Sequence, residues 1–553
     1  MKILLSQLSL YWHSVRYLRL VQIIGRVKYL FKRSKIEITP AGNIRNPKYQ
    51  WIRPPCRTQS MLGYDLFSFL NETHQISSRS DWNKESCSKL WLYNLHYFDD
   101  LNAVNSNKRS DWHRGLIDRW INDNSPGEGN GWEPYPTSLR IVNWIKWSFS
   151  NNEMSIKCLD SLATQARFLS QNLETHLMGN HLFANAKALL FAGIFFDNEE
   201  AKTWQNIAYK IINQELSEQV LSDGGNFELS TMYHTIFLED VLDIINIHKL
   251  YDLPVPDIYN EIAILMSRWL LIMSHPDGKL SFFNDSAFAI TPSVSEVRDY
   301  ALHLVDENNI IIEEALIDKE SYIDLSDSGY SRIQMNNMIA IIDRASIGPD
   351  YLPGHAHADT LSFELSLFNR RVVVNSGTSV YDDCPDRHQQ RSTAAHSTVV
   401  IDQCNSSEVW SAFRVAKRAR VYNRLTTKLN DIIKITAKHD GYKRLPGSPV
   451  HSREWLFDKN CLVITDEITG KGFHRVDSIL PLHPDVSLHL LKDNRASLKV
   501  GGRNILIDIS GDGILEDVNS NYHPEFGLSI NNLKLIYTCS KELPIKIITR
   551  INW

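Results

Sequence analysis

Gly354-His355-Ala356-His357-Ala358-Asp359 places two imidazoles and a carboxylate within five positions of a 553-residue chain. The stretch leads into Leu361-Ser362-Phe363-Glu364-Leu365, whose alternating pattern predicts a β-strand. If this strand begins early, His355, His357 and Asp359 share one of its faces. Such clustering predicts catalysis or metal binding, and a surface turn without a common partner is the alternative.

A second polar cluster lies in the stretch Arg391-Ser392-Thr393-Ala394-Ala395-His396. It leads into the apolar run Ser397 to Ile401, which again predicts a strand. His396 therefore stands, like the first two histidines, where a strand begins. Three histidines in such positions favour a convergent site in a β-rich part of the chain.

The apolar spacing divides the chain into two halves. Between about residues 85 and 315 apolar residues recur at threes and fours, as from Ile156 to Leu173, which predicts antiparallel helices. After about residue 325, short runs such as Met338 to Ile342 and Ile545 to Thr549 predict a large antiparallel β-sandwich. The polar segment Asp318 to Ser328 is the predicted hinge.

Composition excludes several classes of function. A net charge of -5 without long like-charge runs argues against a nucleic-acid partner. The most apolar internal run, Ala188 to Phe196, is far shorter than the roughly 20 residues that span a bilayer. Seven cysteines without a CxxC spacing predict free thiols.

The first twenty or so residues predict an amphipathic helix rather than a signal peptide, because they lack a small-residue cleavage site. The cytoplasm is therefore the default location, and the periplasm is the alternative if another export route is used. The oligomeric state stays open.

Two polar clusters in the helical half are candidates for a binding site. Gly179-Asn180-His181-Leu182 puts Asn180 and His181 at a helix N-terminus, where capping by asparagine is the alternative interpretation. The stretch Asp223 to His234 runs from a glycine-rich turn into a second helix. If that helix starts near Glu228, this carboxylate lies near the positive end of the helix dipole.

An aromatic stretch, Trp132-Glu133-Pro134-Tyr135-Pro136-Thr137-Ser138-Leu139-Arg140, precedes a helix predicted from Ile141 to Trp147. The rings of Trp132 and Tyr135 are suited to stacking on sugars. A packed loop is the alternative.

Together these residues resemble the heparinase II/III family of polysaccharide lyases, which includes related alginate lyases. The stretches Asn180-His181 and Glu228 to His234 are similar to the motifs of its helical toroid, and Gly354 to Glu364 with Arg391 to Val400 to its sandwich motif. The resemblance implies an α+β multidomain chain, with an incomplete (α/α) toroid and N-terminal helical extension over residues 1–318. An antiparallel β-sandwich would follow over residues 319–553, with the active site in the cleft between them.

The resemblance also implies roles in β-elimination from a uronate-containing acidic glycan. Tyr233 would donate a proton to the leaving glycosidic oxygen and is also a candidate base. His355 would polarise or accept the C5 proton. Asn180 and His181 would face the uronate carboxylate, where one preorganised donor is typically worth about 2.7–4 kcal/mol.

The predicted substrate-binding residues are Trp132, Tyr135, Glu228, His234 and Arg391. Ionising a tyrosine at pH 7 costs about 4 kcal/mol. A tyrosine base would therefore need cationic neighbours that lower the pKa of Tyr233, and His234, His355 and Arg391 are the candidates.

In metal-bearing relatives, the structural metal is held by the second histidine of the sandwich motif, an aspartate before a Gly-Thr turn, and a later histidine. These positions here hold His357, Asn375 and His396. Because a neutral amide is a poor substitute for a carboxylate at zinc, we expect weak or absent zinc and no required cofactor. Asp359 or Asp402 is the alternative third ligand.

Two further functions stay open at this point. A non-catalytic glycan-binding or polysaccharide-assembly protein would keep the cleft without turnover, and the lack of an export signal favours it. A metal-dependent hydrolase would use His355, His357 and His396, but no carboxylate is placed as an obvious general base. The full set of Asn180, His181, Tyr233 and His355 favours the lyase, since a binder has no need of all four.

Overall fold

The computed structural model describes residues 2–31, 35–150, 152–319 and 321–553. Its helices are α1 (Lys2–Val15), α2 (Leu20–Phe31), α3 (Lys89–Tyr97), α4 (Ser110–Asp123), α5 (Pro134–Ser148), α6 (Ile156–Gln171), α7 (Gly179–Phe195), α8 (Glu199–Gln219), α9 (Thr231–Leu250), α10 (Asp257–Ile272), α11 (Val294–Leu304), α12 (Glu307–Lys319) and α13 (Pro385–Gln390). All but the last lie in the first 319 residues, which confirms a helical N-terminal part.

Helix α7 forms the centre of this helical part. It is buried on all sides from Leu182 to Phe195 and packs against α5, α8 and α9. A helix that is apolar all round is expected to be enclosed in this way. The N-terminal ends of α7 and α9, where Asn180 and Tyr233 lie, are thereby fixed relative to each other.

The strands are β1 (Leu66–Phe69), β2 (Glu72–Gln75), β3 (Tyr322–Leu325), β4 (Tyr330–Met335), β5 (Met338–Asp343), β6 (Phe363–Leu367), β7 (Arg370–Val373), β8 (Val399–Ile401), β9 (Val409–Trp410), β10 (Arg414–Val415), β11 (Val421–Leu429), β12 (Ile432–His439), β13 (Val450–Asp458), β14 (Cys461–Thr469), β15 (Phe473–Pro481), β16 (Ser487–Leu491), β17 (Arg495–Val500), β18 (Arg503–Ser510), β19 (Gly513–Glu525), β20 (Leu528–Glu542) and β21 (Ile545–Asn552). The runs predicted at Met338 to Ile342 and Ile545 to Thr549 are confirmed as parts of β5 and β21.

The C-terminal part is built from antiparallel sheets. In the described residues, the largest has the order β11-β12-β13-β14-β21-β18-β17-β16. A second sheet has the order β19-β20-β15-β8, and a third has the order β3-β4-β5-β6-β7. Alternate side chains of these strands form one apolar core, which includes Ile433, Trp455 and Val476. The antiparallel sandwich is therefore confirmed.

Several local predictions are corrected. The stretch from Gly354 to Asp359 forms turns, since β6 begins only at Phe363, so its histidines do not share a strand face. Helix α9 begins at Thr231 with Ser230 as its cap, so Glu228 precedes the helix. Helix α5 begins at Pro134, where proline fits the first turn, and therefore includes Tyr135.

The predicted hinge contains the end of α12 and all of β3 rather than an open linker. The hairpin β1–β2 lies before the helical half, and periodicity did not indicate it. The division at residues 318 and 319 agrees with the change from helices to strands, and as a domain boundary it stays a prediction.

All seven cysteines are free thiols, as predicted. Among the described residues, none of the helices has the length and apolar character needed to cross a bilayer.

Candidate active site

A recess with about 280 Å³ of open space lies at the N-terminal ends of α7 and α9. It is lined by Tyr135, Asn180, Asn226, Glu228, Tyr233, Ile236, Phe237 and Asp240. Four of these are residues predicted from the sequence for catalysis or substrate binding. A larger cavity of about 490 Å³ lies elsewhere, beside Arg57, Lys146 and Glu239, and contains none of the predicted residues.

The carboxylate of Asp285 connects the helical part to the sandwich motif. It is fully buried and accepts hydrogen bonds from His355 Nδ1 at 3.0 Å and from His357 Nε2 at 2.9 Å. Arg387 donates to both of its oxygens. Burial acts to raise the pKa of Asp285, but the Arg387 charge and these hydrogen bonds hold it well below its usual range. Asp285 is therefore ionised and accepts only.

This contact fixes the tautomer of His355. Because an ionised carboxylate cannot donate, Nδ1 of His355 carries a proton, and in the neutral form of the ring the lone pair lies on Nε2. Nε2 lies 3.6 Å from Glu228 Oε2. The imidazole stacks on the phenol of Tyr233, with ring centroids 3.8 Å apart. A proton acceptor and a hydroxyl therefore stand side by side at the recess.

The hydroxyl of Tyr233 lies 3.1 Å from that of Tyr381. Burial, reinforced by Tyr381 and Asp285, raises the pKa of Tyr233 well above its usual value. The expectation that His234, His355 or Arg391 lowers this pKa is therefore wrong for the unliganded protein. Tyr233 is a neutral phenol, which suits a proton donor rather than a resting base.

The start of α7 presents Asn180 and His181. Gly179 has φ +55°, a left-handed backbone conformation that favours glycine at the point where the chain enters this helix. His181 donates from Nδ1 to Glu174 at 3.1 Å. Burial acts to lower the pKa of His181, but the Glu174 carboxylate raises it overall, which favours the imidazolium. Asn180 is half-buried beside it.

Tyr135 and Glu228 complete this wall. The ring of Tyr135 lies 4.5 Å from the ring of His181, centroid to centroid. Glu228 is buried and accepts the backbone N–H of Asn180. Burial raises the pKa of Glu228, while His355, His181 and the bond from Asn180 act against that rise. Glu228 thus connects the start of α7 to His355.

Three predicted substrate contacts need correction, because these side chains are buried and do not line the recess. Trp132 is buried with its ring 5.8 Å from that of Trp120. His234 is buried with its ring 4.2 Å from that of Trp269, and its Nε2 donates to a backbone carbonyl. Arg391 is buried as well.

Arg391 is buried, and its guanidinium donates to the backbone carbonyls of Ala356, Ser411, Ala412 and Arg414. Burial lowers the pKa of Arg391 to about 9. Its bonds to Ala356 hold the loop that carries His355 and His357. Arg391 therefore positions the histidine loop rather than contacting substrate.

His357 and His396, two of the predicted metal ligands, lie side by side. His357 donates from Nε2 to Asp285, and His396 donates from Nδ1 to the carbonyl of Ser392. Their other nitrogens face each other at 3.2 Å. In neutral rings both carry lone pairs, so this contact is repulsive unless a proton or a cation lies between them.

The third position does not complete a zinc set. Asn375 is buried, and neither atom of its side-chain amide has a hydrogen-bond partner in the described structure. Asp359 accepts the N–H of Asn284, and Asp402 accepts from His474. Among the described residues, no three His, Cys, Asp or Glu side chains converge as a metal site. The donor set thus lacks the anionic ligand that a structural zinc favours.

Sequence reasoning missed Asp285, Arg387 and Tyr381. Asp285 follows the apolar stretch Ser281-Phe282-Phe283 in a loop, and its only signal was an Asn-Asp pair in apolar surroundings. Arg387 and Tyr381 lie between the two sandwich motifs, with no spacing that marks them. A catalytic histidine needs a group that orients it, but many carboxylates in the sequence could fill that role.

Comparisons with known proteins agree with this architecture. Residues 120–310 match the model described as heparinase II/III N-terminus, and residues 318–553 match heparinase II/III-like, C-terminal. Two curated relatives are heparin-sulfate lyases, from Bacteroides stercoris (25% identical over 313 residues, 53% of this chain and 44% of the relative) and from Pedobacter heparinus (26% over 333 residues, 57% and 47%). The matched regions thus span less than half the length of these relatives.

The solved structure of heparan sulfate lyase from Pedobacter heparinus aligns with a TM-score of 0.60 at 19% identity, covering 88% of this chain and 81% of that one. At this identity the match shows the shared toroid-plus-sandwich fold. The helical part and the sandwich part of the chain match two models of the same family. Where the two parts meet, Tyr233 of the helical part stacks on His355 of the sandwich part. The chain belongs to the heparinase II/III family.

Proposed function

We propose that this protein is a polysaccharide lyase that cleaves a uronate-containing acidic glycan by β-elimination. The observation that carries the proposal is the pairing of Asp285-oriented His355 with the phenol of Tyr233 across a 3.8 Å ring stack. One ring offers a lone pair and the other offers a proton. These are the two groups that elimination needs beside the same C4–C5 bond.

In the first step, Nε2 of His355 removes the proton from C5 of the uronate. The electron pair moves into the carboxylate group, which then carries a second negative charge. His181, made more basic by Glu174, and the amide of Asn180 face this charge from the start of α7. Their preorganised donors lower the energy of the intermediate.

In the second step, the electron pair forms the C4=C5 double bond as the C4–oxygen bond breaks. The hydroxyl of Tyr233 gives its proton to the leaving oxygen. No water is consumed. Because His355 is now protonated and stacked on Tyr233, its positive charge favours the phenolate, and proton return from His355 to Tyr233 restores the resting state.

The acidic nature of the substrate is supported by the cationic tendency of His181 and by the curated relatives, which are named heparin-sulfate lyases. A non-catalytic binder is not favoured, since binding alone does not require a buried Asp285–Arg387 pair that orients one histidine. A hydrolase built on three convergent histidines is not favoured either, because His355 and His357 each donate to Asp285.

The test is incubation of the purified chain with acidic polysaccharides, followed by ultraviolet absorbance of the unsaturated uronate product. Wild-type protein should generate this absorbance, and the Tyr233→Phe and His355→Ala variants should not. Cleavage without absorbance would mean hydrolysis, and binding without cleavage would support the non-catalytic alternative.

A further inference from the structure

Helices α1 and α2 expose apolar side chains in one stripe on each helix. On α1 the stripe consists of Leu8, Trp12 and Val15, and on α2 of Leu20, Ile24, Val27 and Phe31. These spacings of three and four place each set on one helical face. Trp12 is 66% exposed and Phe31 is 82% exposed. We call these seven residues the outer stripe.

The opposite faces of the same helices pack on the protein through small, polar and aromatic groups, including the ring of Tyr29 on that of His176. Gln22 is 2% exposed and donates to the carbonyl of Tyr351 at 3.1 Å. A Cβ at Gly25 would lie 2.9 Å from that of His176. Ser14 accepts a hydrogen bond from Trp410 at 3.1 Å. The seven large apolar side chains of the outer stripe thus face away from the protein, whereas an ordinary surface helix buries its apolar face.

The charged side chains of this segment are all basic. The first 36 residues contain eight lysines and arginines and no aspartate or glutamate. Among them, Arg16, Arg26 and Lys28 are exposed beside the outer stripe. An apolar face flanked by cations and carrying exposed tryptophan and phenylalanine matches helices that lie in the interface of an anionic bilayer.

We propose that α1 and α2 bind the surface of an anionic lipid bilayer, with the outer stripe at the boundary between acyl chains and headgroups and the flanking cations on lipid phosphates. An acidic glycan would neutralise the cations but leave the stripe in water. A second copy related by a two-fold axis would bring like charges together. The bilayer satisfies both features.

This attachment has a consequence for the recess. The inner face of α2 contacts His176, two residues after the Glu174 that holds His181. The bilayer would therefore hold the candidate active site close to the membrane surface. The inference itself stands on the exposed stripe and does not depend on the proposed lyase activity.

The experiment is co-sedimentation of the full chain with vesicles of phosphatidylcholine plus phosphatidylglycerol, and with phosphatidylcholine vesicles alone. The wild type should sediment with the anionic vesicles, less so at high salt. The double variant Trp12→Glu/Phe31→Glu should lose this binding at least about tenfold without a change in melting temperature. The matched control is Phe473→Glu, at a position on β15 that is 65% exposed, and it should bind like the wild type.

Three outcomes would overturn the proposal. The first is no sedimentation with either vesicle. The second is an equal loss in the Phe473→Glu control. The third is a dimer, measured by light scattering, that the Trp12→Glu/Phe31→Glu variant converts to a monomer, which would assign the outer stripe to a protein interface instead.

Discussion

Replacing Asp285 with asparagine removes the charge that His355, His357 and Arg387 share while keeping the size of the side chain. Arg387 is fully buried, and removing the partner of a buried charge costs about 3–5 kcal/mol of unfolding free energy. The single oxygen of the asparagine amide cannot accept hydrogen bonds from His355, His357 and Arg387 as the two carboxylate oxygens do. The proton of His355 is therefore no longer held on Nδ1. With the proton on Nε2, His355 cannot accept the C5 proton, and kcat should fall about 10²–10⁴-fold.

The assay is the rate of unsaturated-product absorbance, measured at a temperature where the variant is folded, alongside its melting temperature. Asp466→Asn is the matched control, because Asp466 is also buried and accepts from Arg453 and His451, but in the sandwich core. It should lose comparable stability and keep kcat. Retention of more than about a third of kcat by Asp285→Asn, or an equal loss of kcat in the control, would refute the reasoning.

Tyr233→Phe should lower kcat about 10²–10⁴-fold and leave glycan binding and the melting temperature nearly unchanged, because it removes a single hydroxyl; retention of more than about a third of the rate would exclude Tyr233 from the mechanism. His355→Ala should mainly lower kcat, whereas His357→Ala should mainly lower the melting temperature, since His357 is buried between Asp285 and His396; identical losses in both variants would defeat this division. Because the folded-state pKa of His181 is raised, its ion pair stabilises the fold fully below its unfolded pKa of about 6.5 and loses this effect as the pH rises through the folded pKa. His181→Gln should therefore be less stable than the wild type at low pH and equally stable at high pH in thermal melts, and a constant difference would contradict this. We propose that zinc binding is weak, so elemental analysis should find clearly less than about one zinc per chain, and Asn375→Asp should raise zinc content and the melting temperature in added zinc; stoichiometric zinc in the unmodified protein would point to Asp359 or water as the missing ligand.

Sequence patterns predicted the architecture because helices and strands impose different apolar periods. The spacing through α6 and the alternation in β12 or β21 each reflect one buried face, which a single sequence records directly. The hairpin β1–β2 escaped because two four-residue strands hold too few alternations to be distinguished from loop.

Part of the site could be predicted from the sequence because its motif residues lie close to the start of a helix or strand. Asn180 stands at the start of α7, and His355 lies in the turn before β6. Asp285 could not be predicted, since its role depends on a contact with His355 across 70 positions of the chain. The prediction that Trp132 and Arg391 contact substrate was wrong, because residue type alone does not tell whether an aromatic ring or a guanidinium is buried.

The central claim is that cleavage is an elimination, and mass spectrometry of the products tests it most directly. The purified protein is incubated with a panel of acidic polysaccharides that includes heparan sulfate, and the masses of the product oligosaccharides are measured. An elimination yields fragments with an unsaturated uronate at the non-reducing end, and we expect their masses to sum to that of the starting glycan. Fragments that together gain one water per cleavage would contradict it, as would a panel that is bound but returned intact.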